Sequence, residues 1–356
     1  MKNFYRYLAT LTIITALFLT FSQVQAGNKD RSGQAGAPEL LINPWAGSMG
    51  WGGVNTANVR GVESMFANIA GLSFVSKLDV GFSQTSWLKG SGIGISNFGL
   101  GVRAGETGVI GLSVFSMKFG ELDVTTTDQP DGTGATFKPS LLNFAVSFSK
   151  AFSNSISAGL TVRIISESIP DASAQGVSID AGVMYVAGER DQAKFGITLR
   201  NLGPTMKFTG DGFSIKAFFN QGDETKISVY QRSESFELPT QLRIGASYDF
   251  FIGEWHRLTA AGSFTSNSFS KDQFSLGLEY SLKEYLILHA AYTYENGITA
   301  NVNDPERTNA YKGLSLGATV EVPISKKSGL ILGIDYAYQT TDNFKGTQAF
   351  GIRLKY

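Results

Sequence analysis

The sequence predicts an all-β fold: a transmembrane, antiparallel β-barrel of about fourteen strands, preceded by a segment that is not part of the barrel. The first observation is the carboxyl-terminal stretch, in which Phe350, Ile352, Leu354 and Tyr356 alternate with small or charged residues. Such a period of two is typical of a strand with one apolar face. The second is that about fourteen segments of this kind follow residue 78. The third is that long and short connections alternate between them.

The first 26 residues have the features of a secretory signal peptide. Lys2 and Arg6 precede an apolar stretch over residues 8–21, and Ala26 ends a small-residue cleavage site. An uncleaved anchor helix is the alternative, but the apolar stretch is short for a membrane span. The chain has no cysteine, so neither a lipid-anchored cysteine nor a disulfide is expected. We therefore divide the chain into a signal peptide (1–26), an N-terminal plug or hatch-like segment (27–77) and the barrel (78–356).

The strongest alternation lies in residues 142–148, 156–164, 242–250 and 330–338. Charged residues fall on the non-apolar face of their strands, which indicates a polar lumen because a charge on the lipid face near the midplane costs about 2–4 kcal/mol. These charges are Arg163, Asp180, Arg200, Arg243, Asp249, Glu279, Glu321, Asp335 and Arg353. In the second and third strands the apolar phase slips, which predicts a bulge or kink there.

The connections predict how the barrel is oriented. If Tyr356 lies in the periplasm, long connections such as 120–138 and 202–236 all fall outside and short ones such as 152–154 fall inside. Outer-membrane barrels show this asymmetry. We expect both chain termini in the periplasm. Within the longest connection, the two apolar stretches near its middle form either a hairpin or two further wall strands, which would give sixteen.

Composition argues against several functional classes. Lys plus Arg and Asp plus Glu both total 30, so no net charge favours nucleic acid. The only histidines are His256, in a predicted short turn, and His289, on the lumen face of its strand. A lipid-reactive hydrolase would need a histidine reachable from lipid, so His289 faces the wrong way. No nucleophile, metal cluster or cofactor motif is found, so we expect no enzyme activity and no cofactor.

Three short motifs carry a family resemblance. Gly47–Gly53, the stretch 58–64 and Asn68–Leu72 resemble the N-terminal pattern of the PorV/PorQ family, which belongs to the FadL-like barrels. Ile69 stands where that pattern has proline. The resemblance implies a fourteen-stranded barrel whose N-terminal segment folds into or under the lumen. The candidate hatch motif comprises Gly50, Gly52, Gly53, Asn68, Ala70 and Gly71.

The same resemblance implies a function in the type IX secretion system of Bacteroidetes. PorV-like proteins associate with the translocon pore and accept the C-terminal domains of cargo proteins, in an outer membrane of lipid and lipopolysaccharide. The alternative is a FadL-like passive channel for hydrophobic solutes. The candidate partner contacts are Phe208, Phe213, Phe218, Phe219 and Tyr230, all in the longest connection. The terminal residues Phe350, Ile352, Leu354 and Tyr356 form the candidate barrel-closing signal.

Overall fold

A computed structural model describes residues 29–218, 226–301, 303–325 and 329–356. The predicted signal peptide and Phe219 lie outside these ranges. Fourteen strands form the wall of the barrel. They are β1 (Leu78–Trp87), β2 (Ile93–Ala104), β3 (Gly108–Lys118), β4 (Ser140–Ala151), β5 (Ile156–Ile169), β6 (Ala172–Ala187), β7 (Ala193–Leu202), β8 (Gln241–Ile252), β9 (His256–Asn267), β10 (Gln273–Leu282), β11 (Leu286–Glu295), β12 (Tyr311–Ser325), β13 (Leu330–Thr341) and β14 (Thr347–Lys355).

Each strand pairs antiparallel with its neighbours in the chain, and β14 pairs with β1 to close the barrel. In this closing ladder Ile352 lies opposite Phe82 and Leu354 opposite Val80. Closure satisfies the backbone hydrogen bonds of every wall strand internally, as lipid requires. The predicted barrel of fourteen strands is confirmed.

The two faces of the wall differ as the alternation predicts. Outward side chains are apolar and exposed, as on β5, where Leu160, Val162 and Ile164 are 57%, 48% and 53% exposed. Inward positions are polar, charged or glycine, and the nine charges predicted to face the lumen are buried or half-buried there. This is the reverse of a water-soluble protein, because here the solvent outside the wall is hydrocarbon.

The bulge predicted in the second and third strands is wrong. β2 and β3 pair without a register shift from Gly94 opposite Lys118 to Ala104 opposite Gly108. The apolar phase slips because Ile95 points into the lumen, where it packs with Phe115 and Met117. Ile42 of the N-terminal segment packs against this cluster, so the inward face is apolar there.

Connections at one end of the barrel are long and those at the other end short, and we call these the long-loop end and the short-turn end. The 119–139 connection carries a small ladder of Leu122–Asp123 with Thr136–Phe137. In the 203–240 connection, Met206–Thr209 pairs with β6 and with Ser235–Phe236. The strands Ser214–Phe218 and Lys226–Tyr230 form a separate hairpin, which settles the choice between fourteen and sixteen wall strands.

Residues 29–77 run through the lumen as short helical turns. These are the 3-10 turns Lys29–Arg31, Pro38–Leu41, Val54–Ala57, Gly61–Glu63 and Ile69–Phe74, together with the α-helical turns α1 (Ala46–Gly50) and α2 (Ser64–Ala67). We call residues 29–43 the strap and residues 44–77 the hatch. Most hatch side chains are buried, including Trp45, Val62 and Leu72. No helix in the described ranges is long and apolar enough to cross a membrane.

The strap and the carboxyl terminus lie at opposite ends of the barrel. Arg31 forms a 2.6 Å ion pair with Glu237 at the long-loop end. At the short-turn end, the carbonyl of Tyr356 accepts hydrogen bonds from the backbone N–H groups of Lys77 and Leu78. The amino terminus lies outside the described residues, so the expectation that both termini are periplasmic stays a prediction. The chain crosses the lumen once before β1, and an even number of strands then returns it to the end where β1 begins.

Candidate functional site: the hatch and the luminal cavities

The glycines of the predicted hatch motif allow the hatch to lie directly against the wall. A Cβ on Gly50 would stand 2.7 Å from the Cα of Gly317 on β12, so the two backbones touch. Gly52 and Gly53 have φ angles of +56° and +87°, which favour glycine, and a side chain on Gly52 would meet Ser315. Next to this contact, Trp51 packs against His289 at a centroid distance of 5.5 Å.

The second half of the motif forms a compact turn. The Asn68 side-chain amide donates to the carbonyls of Thr56 and Val183, and its Oδ1 accepts from the backbone N–H of Ala70. Asn68 therefore links two parts of the hatch to β6. A Cβ on Gly71 would stand 2.2 Å from the carbonyl oxygen of Val59, so no larger residue fits without movement. The structure brings all six motif residues into the hatch, although the motif's function stays a prediction.

Replacing Gly50 by alanine is expected to loosen the hatch. The new methyl group meets backbone atoms of Gly317, which cannot rotate away, and overpacking of this kind costs about 1–3 kcal/mol. Hydrogen exchange of the hatch amides should become faster while the wall strands stay protected. Gly333→Ala is the matched control, because its Cβ would meet nothing closer than 3.6 Å. Equal hatch protection in the two variants would contradict this expectation.

An ion-pair network fastens the hatch at the short-turn half of the lumen. Arg353 on β14 binds Asp335 on β13 through two 2.7 Å contacts and lies 3.5 Å from Glu63 of the hatch. Glu63 also accepts a 2.7 Å hydrogen bond from Ser48. Burial raises the pKa of the Glu63 carboxyl, and the Arg353 guanidinium opposes that rise. One guanidinium therefore joins the closing strand, its neighbour and the hatch.

A second network follows the wall on the same side of the hatch. Arg257 forms ion pairs with Glu279 at 2.8 Å and with Glu284 at 2.9 Å, and Lys194 pairs with Asp249. His289, predicted to face the lumen, does so, and its Nδ1 lies 3.1 Å from Glu279. His256 hydrogen-bonds the Tyr280 hydroxyl at the rim. In the described ranges, no group of three or more acidic, histidine or cysteine side chains could hold a metal ion.

The two larger cavities of the lumen lie on opposite sides of the hatch. The cavity towards the short-turn end has a volume of about 530 Å³ and is lined by the charged networks, including Arg60 and Glu63 of the hatch. The cavity towards the long-loop end has a volume of about 320 Å³. Its lining is mixed: Phe66, Trp87 and Ile298 contribute apolar surface between amide and hydroxyl side chains. We call this second space the upper cavity.

The strand pairing in the wall of the upper cavity is interrupted, although the backbones stay in contact, because a Cβ on Gly313 would stand 2.3 Å from the carbonyl oxygen of Thr293. The β11–β12 ladder ends at the pair Tyr292 and Leu314, and the β12–β13 register shifts between Tyr311 and Ser315. Gly313 in this bulge has φ +87°. Leu314 lines the cavity and is also 40% exposed on the outer surface. The interruption was not predicted from the sequence, where a glycine beside Leu314 resembles the many other lumen glycines.

The candidate partner contacts have different surroundings. Phe208 packs against Phe236 at the rim, with ring centroids 5.6 Å apart, so it belongs to the rim core and is only partly accessible. Phe213 packs against Tyr230 at 6.3 Å. Phe218 and Tyr230 are 60% and 47% exposed on the hairpin. Among the described members of this set, Phe218 and Tyr230 thus have the most surface accessible to a partner.

The candidate closing residues lie on the outside of the wall, where Phe350 and Ile352 are exposed. Lys77 lies over the ring of Tyr356 at 4.2 Å. Their position in the closing strand is clear from the ladders with β13 and β1. Recognition of this strand by assembly machinery stays a prediction.

Comparison with known proteins identifies solved structures with a similar fold. No protein-family model and no curated protein matches the chain. Among solved structures, the monoaromatic hydrocarbon channel CymD is similar, with a TM-score of 0.54, 14% identity, and coverage of 88% of this chain and 97% of that one. The P. putida toluene transporter TodX has a TM-score of 0.54 and 12% identity, with coverage of 88% of this chain and 97% of that one. A Pseudomonas aeruginosa FadL homologue has a TM-score of 0.51 and 12% identity, with coverage of 87% and 97%. The PorV/PorQ resemblance has no family match and stays a prediction. The chain has the closed fourteen-stranded fold of the FadL-like outer-membrane barrels.

Proposed function

We propose that the protein is a passive outer-membrane channel of FadL type, for small solutes with a substantial apolar part. The observation that carries this proposal is the upper cavity beside the interruption at Gly313. The FadL-like neighbours, described as hydrocarbon channels and toluene transporters, support it. Concave, mostly pre-formed spaces with a mixed lining are typical of small-molecule sites.

The path we propose runs from the long-loop end into the upper cavity and then sideways through the wall. The hatch fills the lumen below, so a straight route to the short-turn end would have to pass its packed core around Trp45, Met65 and Leu72. A lateral step past Leu314 leads into hydrocarbon, where an apolar solute gains free energy as it leaves water.

Narrowing the cavity mouth tests this path. Ser270 lines the upper cavity, whereas Ser268 in the same connection is exposed and does not. Ser270→Trp is expected to reduce uptake of radiolabelled toluene into intact cells by at least tenfold, and Ser268→Trp should leave it unchanged. Because both changes add the same bulk to one loop, barrel yield should be equal. Equal uptake by the two variants would refute the path.

A second candidate function is the PorV-like one, association with the type IX translocon pore or with cargo C-terminal domains. The hairpin is the observation that favours it. Ile215, Ile227 and Val229 share one face, are 51%, 38% and 38% exposed, and have no covering element in the described part of the chain. Such a face beyond the wall suits protein contact better than solute passage.

Gene deletion separates the two candidates. For the channel, toluene uptake falls and secreted surface proteins are processed normally. For the secretion partner, proteins with the type IX C-terminal domain accumulate in the periplasm, and Phe218→Ala reproduces part of this defect because an exposed aromatic anchor contributes about 2 kcal/mol or more. Thr127→Ala, in the exposed 119–139 connection away from the hairpin, is the control.

We infer that the long-loop end faces the outside of the cell. Single cysteines at Gln34, Asp131 and Asn301 should react with an impermeant thiol reagent on intact cells, because all three are exposed at that end. Cysteines at Asn154 and Lys283, in short turns, should react only after the outer membrane is opened. The chain has no native cysteine, so background labelling is absent. Labelling of Asn154→Cys on intact cells would show that the barrel has the opposite orientation.

A further inference from the structure

Two opposite charges face the upper cavity, and neither has an ionic partner in the described ranges. Arg243 on β8 is 7% exposed and donates one hydrogen bond to Gln241, while its Nε has no acceptor. Glu295 on β11 is 3% exposed and accepts hydrogen bonds from Gln273 and Thr308. Both line the cavity.

An unpaired buried charge costs free energy, because it loses water without gaining a counter-charge. Other lumen charges form close ion pairs, as Arg163 does with Asp180 at 2.7 Å. Arg200, which lies 3.8 Å above the ring of Phe66, adds positive charge beside Arg243. Glu39 of the strap does not offset it fully, since burial, and next the neighbouring Glu167, raise the pKa of Glu39 to about 7. The cavity therefore has a positive side and a negative side.

Their spacing follows from the strand register. Arg243 lies opposite Thr265, Thr265 opposite Gln273, and Gln273 opposite Glu295. The two charges thus lie on one line of paired residues, three strands apart. Adjacent strands are about 4.8 Å apart, which places the backbones about 14 Å apart along the wall. Because both side chains point inward across a curved wall, the charged groups lie closer together than the backbones do.

The surface between and opposite the two charges is suited to a polypeptide. Gln273 and Asn267 line the same side as amide side chains that can donate and accept hydrogen bonds. Phe66, Trp87 and Ile298 offer apolar contact. The volume of about 320 Å³ lies at the lower end of the range for small-molecule sites, roughly 300–1,000 Å³.

We propose that the upper cavity binds a short zwitterionic ligand, of the class of apolar tripeptides, with its carboxylate at Arg243 and its ammonium group at Glu295. An extended chain advances about 3.3–3.6 Å per residue, so three residues span about 10 Å. This names a ligand class for the cavity on which the proposed channel function rests: the charged ligand is held in the cavity, whereas the lateral step into hydrocarbon is taken by uncharged solutes. It requires that both ligand charges contribute to binding.

The test uses the tripeptide Leu-Ala-Leu, its N-acetyl form and its C-terminal amide, titrated calorimetrically into the full-length barrel in detergent. For the wild type, acetylation and amidation should each weaken binding at least tenfold. Arg243→Gln should abolish the difference between the acid and the amide but keep the effect of acetylation. Glu295→Gln should do the reverse. Arg243→Lys should retain discrimination against the amide.

Glu284→Gln is the control, because Glu284 lies at the short-turn end and should leave all three affinities unchanged. Equal binding of the three peptides to the wild type, or no binding of any of them, overturns the proposal without use of a variant. Toluene uptake distinguishes this failure from failure of the channel. If toluene uptake depends on Ser270 but no peptide binds, the channel proposal is supported and the zwitterion site is refuted. If a peptide binds but toluene is not taken up, the zwitterion site is supported and the channel proposal is refuted.

Discussion

Removal of Ala349–Tyr356 is expected to abolish insertion of the barrel. β14 pairs on one side with β13 and on the other with β1, so its loss leaves two strand edges unpaired. In hydrocarbon each unsatisfied backbone group costs several kcal/mol, and no water can replace the partner. The same truncation removes Arg353 and with it the attachment of the hatch to the closing strand. The truncated chain should be degraded and should show no heat-modifiable migration in cell envelopes.

A deletion of equal length in a loop is the matched control. Residues 125–132 belong to the long connection between β3 and β4 and pair only within that loop. This variant should insert and migrate like the full chain. If the carboxyl-terminal truncation also yields heat-modifiable barrel at the wild-type level, closure by β14 is not needed for assembly.

Arg353→Met is expected to destabilise the protein by about 3–5 kcal/mol. The change leaves Asp335, only 1% exposed, and Glu63 without their shared cation. Removing one partner of a buried ion pair destabilises a protein more than replacing both partners by apolar residues does. Urea unfolding in lipid vesicles measures the loss. Faster hydrogen exchange over Gly61–Ala67 would show that the hatch is released first.

Two further variants identify the cause. Asp335→Asn in the Arg353→Met background should restore part of the stability, because it removes one stranded carboxylate. Arg31→Met breaks an exposed pair with Glu237 and should cost less than about 1 kcal/mol. If Arg353→Met is no less stable than Arg31→Met, the network does not fasten the hatch.

The barrel could be predicted from the sequence because its signal is local. A strand that separates lipid from a polar lumen must alternate with period two, and that pattern is visible in each segment alone, as in 156–164. The same rule predicts that the charged side chains face the lumen. Connection lengths then determined which ends of the strands lie together. The phase slip at Ile95 led to an incorrect prediction of a bulge. Ile95 is apolar because it packs inside a filled lumen, and such a tertiary contact is not visible in the alternation of one strand.

The motif residues of the hatch were found from a resemblance, and their physical reasons were visible only in the fold. Gly50 must be glycine because Gly317, 267 positions later, lies against it. The sequence contains no periodicity over residues 29–77 that could indicate which way the segment runs. The start of the strap at the long-loop end was therefore not predictable from the sequence.

What the sequence determined by itself was the architecture: fourteen alternating strands, an apolar outer face, a polar lumen and long connections at one end. What only the tertiary structure decided was the content of the lumen. The pairing of Arg353 with Glu63, the interruption at Gly313 and the isolation of Arg243 from Glu295 depend on strand register and on the path of the hatch. Alternation assigns each side chain to a face of the wall, but it contains no information about which inward side chains meet across the barrel.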